Sequence, residues 1–479
     1  MSRSAHTFLP KKLVAGMGIG AIAILAMAGP ALTDDEKGSK KKDEVFQVKA
    51  VLQVPSTAGN TAGTFFSFDI SWFDFKLNKY FLADRNNKAI DVIDPSNLGA
   101  GITQFPNTGF AGVNPGGNDF SGPDGVLTAN KSTELWVGDS PGKVWVMNAQ
   151  TGAIPKTLGP LNIANPILLR NPQTNKASES RADELCYDPN NNVIMMANPG
   201  EGPKPFVTFI SATNYTVLGT LVFDGKSAPN ATNGIEQCQW SPRTGLFYIN
   251  VPEVDGPGND TAPGKVAVID PKTMKVKTSF TIPLDDCAGP QGMAIGPDDQ
   301  ILLGCNAAGP DGHRNTVVIN ENNGTILKHL PDLGGDDEVW FNKDDGHYVI
   351  SSCNTPCRTV PGTGTTGPEL LGIVDANGLR LDHTVTTAEQ NGAPSTAKGN
   401  PRTAHSVAAG GNLIFLPLPA VGGPMPQFAP SLCDSFDDSI IRVGNPTSLT
   451  GCIVVLRAKG DKDDRSRVAH ERDRDDRQD

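Results

Sequence analysis

Charge is scarce in this chain, and basic charge scarcer still: only 19% of the 479 residues are charged, and 52 acids face 41 bases. Phosphate recognition needs clustered Lys and Arg, and no folded stretch supplies them, so nucleic acid is excluded as a partner. No apolar run beyond residue 27 approaches the roughly 20 residues of a membrane helix. There is no Cys-X-X-Cys and no pair of cysteines near a His at finger-like spacing, which excludes a thiolate zinc site. The Gly-rich stretch Gly112 to Asn118 lacks a following Lys-Ser/Thr, so it reads as a loop and not a phosphate cradle. A Gly-X-Ser-X-Gly element in a strand-to-helix setting is also missing, which argues against a serine hydrolase of the α/β kind.

What the chain does have is 52 Gly, 38 Pro and 38% hydrophobic residues, enough for a large core cut into short strands by tight turns. Arg3, Lys11 and Lys12 precede an apolar run from Leu13 to Met27, and Ala26, Ala28, Gly29 and Ala31 follow. That is the pattern of a signal peptide over residues 1–31, cleaved after Ala28 or Ala31, and it predicts a periplasmic or secreted protein with no membrane span after cleavage. Loss of residues 1–28, with three cations and no anions, takes the formal charge from −11 to −14. Eight cysteines suit an oxidising compartment. They allow 105 connectivities. The strand map below favours Cys186 with Cys238, Cys287 with Cys305, Cys353 with Cys357, and Cys433 with Cys452. Residues 32–44 and 458–479 are too polar to offset the entropy of ordering and read as a charged linker and a charged tail, leaving 45–457 as the folded domain.

Within that domain a unit recurs seven times. An acidic or polar residue opens a short apolar strand, a second strand ends in Asp or Asn, and a third has the Val-Ile-Asp character. The openings are Asp69, Asp124, Glu184, Glu236, Gln291, Glu338 and His405. In the fourth unit Glu236 leads to Leu246-Phe247-Tyr248-Ile249-Asn250 and then Lys265-Val266-Ala267-Val268-Ile269-Asp270-Pro271. One small antiparallel meander cannot bury both of its faces, so the units must stack. The expected fold is all-β, a seven-bladed β-propeller closed by an N-terminal strand, Phe46 to Val54, with six blades or a two-sheet sandwich as the alternatives. Trp72, Trp136, Trp145, Trp240 and Trp340 are expected to fill the interfaces between blades.

Antiparallel neighbours alternate direction, so the start of each first strand and the end of each second strand share one rim. That rim carries the seven openings together with Asp84, Asp139, Asn198, Asn250, Asn306 and Asn354. Such oxygen donors around an axis suit Ca2+, which takes 6 to 8 of them. The competing reading is turn chemistry copied into every repeat, since Asp and Asn side chains bond nearby backbone. His405 is the candidate general base, although neighbouring carboxylates could hold it as a cation.

The units Leu135 to Asn148 and Phe247 to Pro271 resemble those of YVTN-type and SMP-30/gluconolactonase-type propellers. The resemblance implies an axial divalent ion that polarises a lactone or ester carbonyl while a carboxylate or His handles the proton. It maps Glu236 and Glu338 onto Glu-type ligands and Asn250, Asn306 and Asn354 onto Asn-type ligands, and Glu184 joins them from the rim. Pro123-Asp124-Gly125 and Pro290-Gln291-Gly292 resemble its Pro-X-Gly blade starts, with Asp and Gln where that signal often has Asn. The expectation is therefore a metal-dependent lactone or ester hydrolase with His405 and Asp124 as catalytic residues. It would be a monomer whose axial mouth takes a small-molecule or carbohydrate-like ligand. The alternative is a non-catalytic ligand- or protein-binding propeller scaffold. A quinone-dependent oxidoreductase is disfavoured because no basic cluster is visible at the rim.

Overall fold

The computed structural model describes residues 45–310, 312, 314–352, 369–388, 405–420 and 431–459. Seven sheets stand in a ring, six antiparallel of four strands and one mixed of five. Their first strands are Phe68–Asp74, Val126–Ala129, Leu185–Asp188, Cys238–Trp240, Pro290–Ile295, Val339–Asn342 and Ala408–Gly410. They pack side by side in that order, and the seventh neighbours the first. Helix among the described residues is confined to short 3-10 turns at Pro95–Ala100, Asn118–Phe120 and Leu432–Asp434. The sandwich and the six-bladed ring are thereby replaced by seven blades.

Strand composition explains the layering. The second strands Val193–Asn198, Gln300–Cys305, His347–Ser352 and Leu413–Leu418 are buried at every position, because both of their faces lie against neighbouring blades. Outer strands such as Lys275–Ile282 instead place lysines in solvent on one edge of the ring. The core is a set of layers between blades and not one central mass. Phe209, Phe247 and Ile249 fill the seam between blades 3 and 4, and Tyr248, Met293 and Leu303 that between blades 4 and 5. Each such buried side chain stabilises the ring by roughly 1.5–3 kcal/mol. Trp72 and Trp340 come from blades 1 and 6 and meet edge to face at 5.3 Å, because the small Ala408 and Ala409 of blade 7 leave room between them.

Blade 7 draws on both ends of the described chain. The strand Val45–Leu52 runs antiparallel to Cys452–Lys459, and Ile441–Val443 adds a fifth strand parallel to Val45–Leu52. Three of the four expected disulfides are present: Cys186–Cys238, Cys287–Cys305 and Cys433–Cys452. The fourth, Cys353 with Cys357, lies outside the described residues. These bridges fit an oxidising compartment. No helix among the described residues is long and apolar enough to cross a membrane.

Candidate axial site

Every opening residue falls within a strand start or within three residues of one, so all seven reach the same end of the ring. In blades 1 and 5 the register of the first strand slips between Phe68 and Ser71 and between Pro290 and Met293. These bulges lift Asp69 and Gln291 out of the ladder and turn them toward the axis. A cavity of about 360 Å³ opens there, lined by Asp69, Glu184, Glu236, Gln291, Glu338 and His405 among the openings. Trp72 and Trp340 stand further along the same first strands, toward the other end of the channel.

One side of the cavity is a charge-compensated network. Arg85 is 3% exposed, reaches Asp69 in a short contact and donates from Nε to Asp124 at 2.8 Å. Arg181 bridges Asp183 at 2.8 Å and Asp69 at 3.3 Å. His405 presents Nε2 to Asp69 at 2.6 Å and Nδ1 to Asp337 at 2.8 Å. Burial opposes ionisation of Asp69, but Arg85, His405 and Arg181 outweigh it and hold the carboxyl well below its usual range. Burial likewise opposes a charge on His405, and Asp337 and Asp69 overcome it, so the imidazole titrates well above its ordinary range. With both ring nitrogens donating to carboxylates, His405 is an imidazolium at neutral pH. A cation cannot accept a proton, so the expectation of a general base is replaced by that of a clamp or a proton donor.

On the other side the carboxyls have no cation of their own among the described residues. Glu184 of blade 3 and Glu338 of blade 6 meet across the axis in a carboxyl–carboxyl hydrogen bond. Burial, and after it the charge of Glu338, pushes Glu184 well above the usual range. Burial and then Asp337 and Asp183 do the same to Glu236, against the pull of Arg181. Glu338 is raised chiefly by burial, partly offset by its bond to Glu184. Gln237 fixes Glu338 by donating to Oε2 at 3.1 Å. Like charges this close cannot all ionise, so the cluster retains protons.

The remaining expected residues separate into those inside the cavity and those behind it. Asn306 lines the cavity and donates to Gln291 Oε1 at 2.5 Å. Asn250 instead turns toward blade 5, donating to the carbonyls of Gln291 at 2.7 Å and Gly292 at 3.0 Å. Asp124 is fully buried behind Arg85 and does not line the cavity, although its Oδ2 is buried without a partner. Asn354 lies outside the described residues. Of the second-strand ends, Asp84 follows the turn-chemistry reading by accepting from Asn87 N three residues on, whereas Asp139 accepts from the distant Ala111 N and from Trp145 Nε1, and Asn198 donates to the Arg181 carbonyl.

The expectation of a rim without basic groups is corrected by Arg85 and Arg181. Each sits one or two residues from a rim acid, in Asp84-Arg85 and Arg181-Ala182-Asp183, a local signal that was available in the sequence. Both guanidiniums are occupied by aspartates, so neither offers a free anion site. His347 opens the second strand of blade 6 and lies away from the cavity lining.

Among the described residues, Asp69, Asp124 and Asp183 bring one oxygen each within 4.8 Å of one another. Arg85, Arg181 and the imidazolium of His405 already pair with carboxylates of this group, which disfavours a further dication there. Glu184 and Glu338 carry no such compensation among the described residues.

No family model and no curated protein matches this sequence. A solved structure titled "Crystal Structure of Mitotic Checkpoint Complex" matches in fold. It superposes at a TM-score of 0.50 with 12% identity, over 84% of this chain and 96% of that one. The fold is a seven-bladed β-propeller. At that identity the likeness speaks for architecture alone.

Proposed function

We propose that the axial mouth binds a divalent cation of the Ca2+ type and that the loaded mouth hydrolyses a lactone or ester. The observation behind it is the Glu184–Glu338 carboxyl pair, buried and lacking a basic partner among the described residues, with Glu236, Gln291 and Asn306 lining the same cavity. Hard carboxylate and carboxamide oxygens are the donors such an ion takes. The resemblance of the repeats to SMP-30/gluconolactonase-type propellers points the same way. Bound there, the ion would supply Lewis-acid polarisation of the substrate carbonyl. With its proton displaced by the ion, the Glu236 carboxylate would take a proton from water, and the His405 imidazolium suits donation to the leaving oxygen. A non-catalytic ligand-binding propeller is the second reading, favoured by the saturation of Arg85, Arg181 and His405 with aspartates.

Elemental analysis of purified protein, thermal unfolding with and without chelator, and a lactone and ester panel test both readings. An ion present at 100 times its dissociation constant adds about 2.7 kcal/mol of stability. A chelator-sensitive midpoint with turnover supports the hydrolase. A chelator-sensitive midpoint without turnover supports the binding propeller, and a metal-free protein indifferent to chelator overturns the cation site.

A further inference from the structure

The wall of the axial cavity is polar except on one side. Among the described residues that line it, Phe66, Phe68 and Pro419 alone are apolar, and all three stand at the seam between blades 7 and 1. Phe65 and Phe68 are buried and stack with their ring centroids 4.6 Å apart, which leaves Phe66, between them in the chain, 52% exposed at the lip. The backbone under that ring is fixed. Phe65 N donates to the Thr450 carbonyl at 2.9 Å, and the Phe65 carbonyl accepts from Ala420 N at 2.6 Å, which ties the lip to the chain beside Pro419. Asn86 Oδ1 accepts from Phe66 N at 2.8 Å and from Ser67 N at 2.7 Å. A half-exposed aromatic ring on so constrained a backbone is ready to cover an apolar group, because folding and not binding has ordered it.

The lip also has a definite place relative to the ionisable groups. Phe66 lies three residues before Asp69, and Asp69 meets His405 Nε2 at 2.6 Å. The apolar side of the mouth is therefore the side of the imidazolium, away from the Glu184–Glu338 pair.

We propose that the mouth selects lactones and esters whose apolar arm is carried on the alcohol side of the scissile bond and packs on Phe66. This inference rests on the hydrolase reading above. In that reaction water gives its oxygen to the acyl carbon and one proton to Glu236, the bond from the acyl carbon to the alkoxy oxygen breaks, and His405 protonates the leaving oxygen. An alkoxy oxygen next to His405 carries its own substituent toward Phe66, whereas a substituent on the acyl side meets the carboxyls. In a γ-lactone the favoured arm is the alkyl group on the γ-carbon. An amphiphile of this kind departs from the carbohydrate-like ligand expected from the sequence.

Two measurements on the full chain with Ca2+ present separate the lip from the hydrolysis. Calorimetric binding of cyclopentanone, 3-butylcyclopentanone and 3-octylcyclopentanone, ring ketones with no bond to hydrolyse, reads the lip alone. Each methylene removed from water contributes about 0.8 kcal/mol, or roughly fourfold in affinity, so the octyl ketone should bind at least tenfold tighter than cyclopentanone. Phe66→Ser should erase most of that gain, while Phe120→Ser, at a 44% exposed position outside the cavity lining, should preserve it. An unchanged melting temperature certifies that Phe66→Ser is folded, and the wild-type series decides alone if it is not. Ketone affinity indifferent to arm length, or a gain that survives in folded Phe66→Ser, overturns the lip. Hydrolysis of γ-octyl-γ-butyrolactone and α-octyl-γ-butyrolactone then reads the side, with kcat/KM expected to favour the γ-isomer at least tenfold. Turnover indifferent to the position of the octyl group overturns the alcohol-side assignment. A ketone series that behaves as expected without turnover of either lactone supports the lip and counts against the hydrolase.

Discussion

Replacing His405 by Asn tests the imidazolium clamp. His405 joins Asp337, just ahead of blade 6, to Asp69 in blade 1, and so ties together the two blades that flank blade 7. Its side chain is 26% exposed, so water screens the pair only in part. A charge-assisted hydrogen bond contributes about 1.5–3 kcal/mol, and Asn can keep at most one neutral bond, so the loss is about 3 kcal/mol. Unfolding entropy of about 2.1 cal/mol/K per residue over roughly 400 residues converts this to a melting point about 4 °C lower. The dependence on pH gives the sharper signature. The folded pKa of His405 lies well above its unfolded value of 6.5, so its contribution is complete below pH 6.5 and fades as pH climbs through the raised folded value. Asp69 stays ionised on the acid side because the cations around it hold its pKa well below the usual range. Differential scanning fluorimetry of both proteins from pH 6 upward should show the two melting curves converging in alkali. A gap that is constant or widens with pH would refute the clamp.

Three further outcomes are expected. Glu184→Gln removes a carboxyl from the axial pair, so in chelator it should raise the melting temperature slightly, by relief of about 1 kcal/mol of repulsion, while lowering ion content by elemental analysis. Asn250→Ala breaks two hydrogen bonds from blade 4 to blade 5 and should cost about 2 kcal/mol by denaturant titration with no change in ion content, the opposite of a ligand. Joint Cys186→Ala and Cys238→Ala opens a link of sequence separation 52, which loop-closure entropy values at about 4 kcal/mol, seen as a lower denaturant midpoint.

Much of the ring was legible because a repeat makes each blade restate the others. Val-Ile-Asp third strands, and openings such as Asp69, Glu236 and Glu338, recur at steps close to one blade. Which rim residue faces the axis was less legible, because the periodicity marks strand ends and not side-chain direction. Asn250 and Asn306 hold equivalent places in neighbouring repeats, yet Asn250 bonds the backbone of the next blade and Asn306 lines the cavity. The difference lies one residue deep, since Asn250 is inside Phe247–Val251 and Asn306 follows the end of Gln300–Cys305. Arg85 and Arg181 escaped notice for a different reason: they stand outside the repeat pattern, and only folding shows Arg85 spanning Asp69 and Asp124 from two blades. The bulges that aim Asp69 and Gln291 inward have no strong sequence mark beyond the Gly after Gln291.

The central claim is that buried carboxyls at the axis exchange protons for a hard cation. Calorimetric titration of chelator-treated protein with Ca2+ at pH 7, in two buffers of different ionisation enthalpy, measures that exchange directly. Because burial and mutual repulsion keep Glu184, Glu236 and Glu338 partly protonated, saturable binding should release on the order of one proton per ion, with affinity rising toward higher pH. Binding heat identical in the two buffers, or no saturable binding at any pH at which the protein is folded, would contradict it.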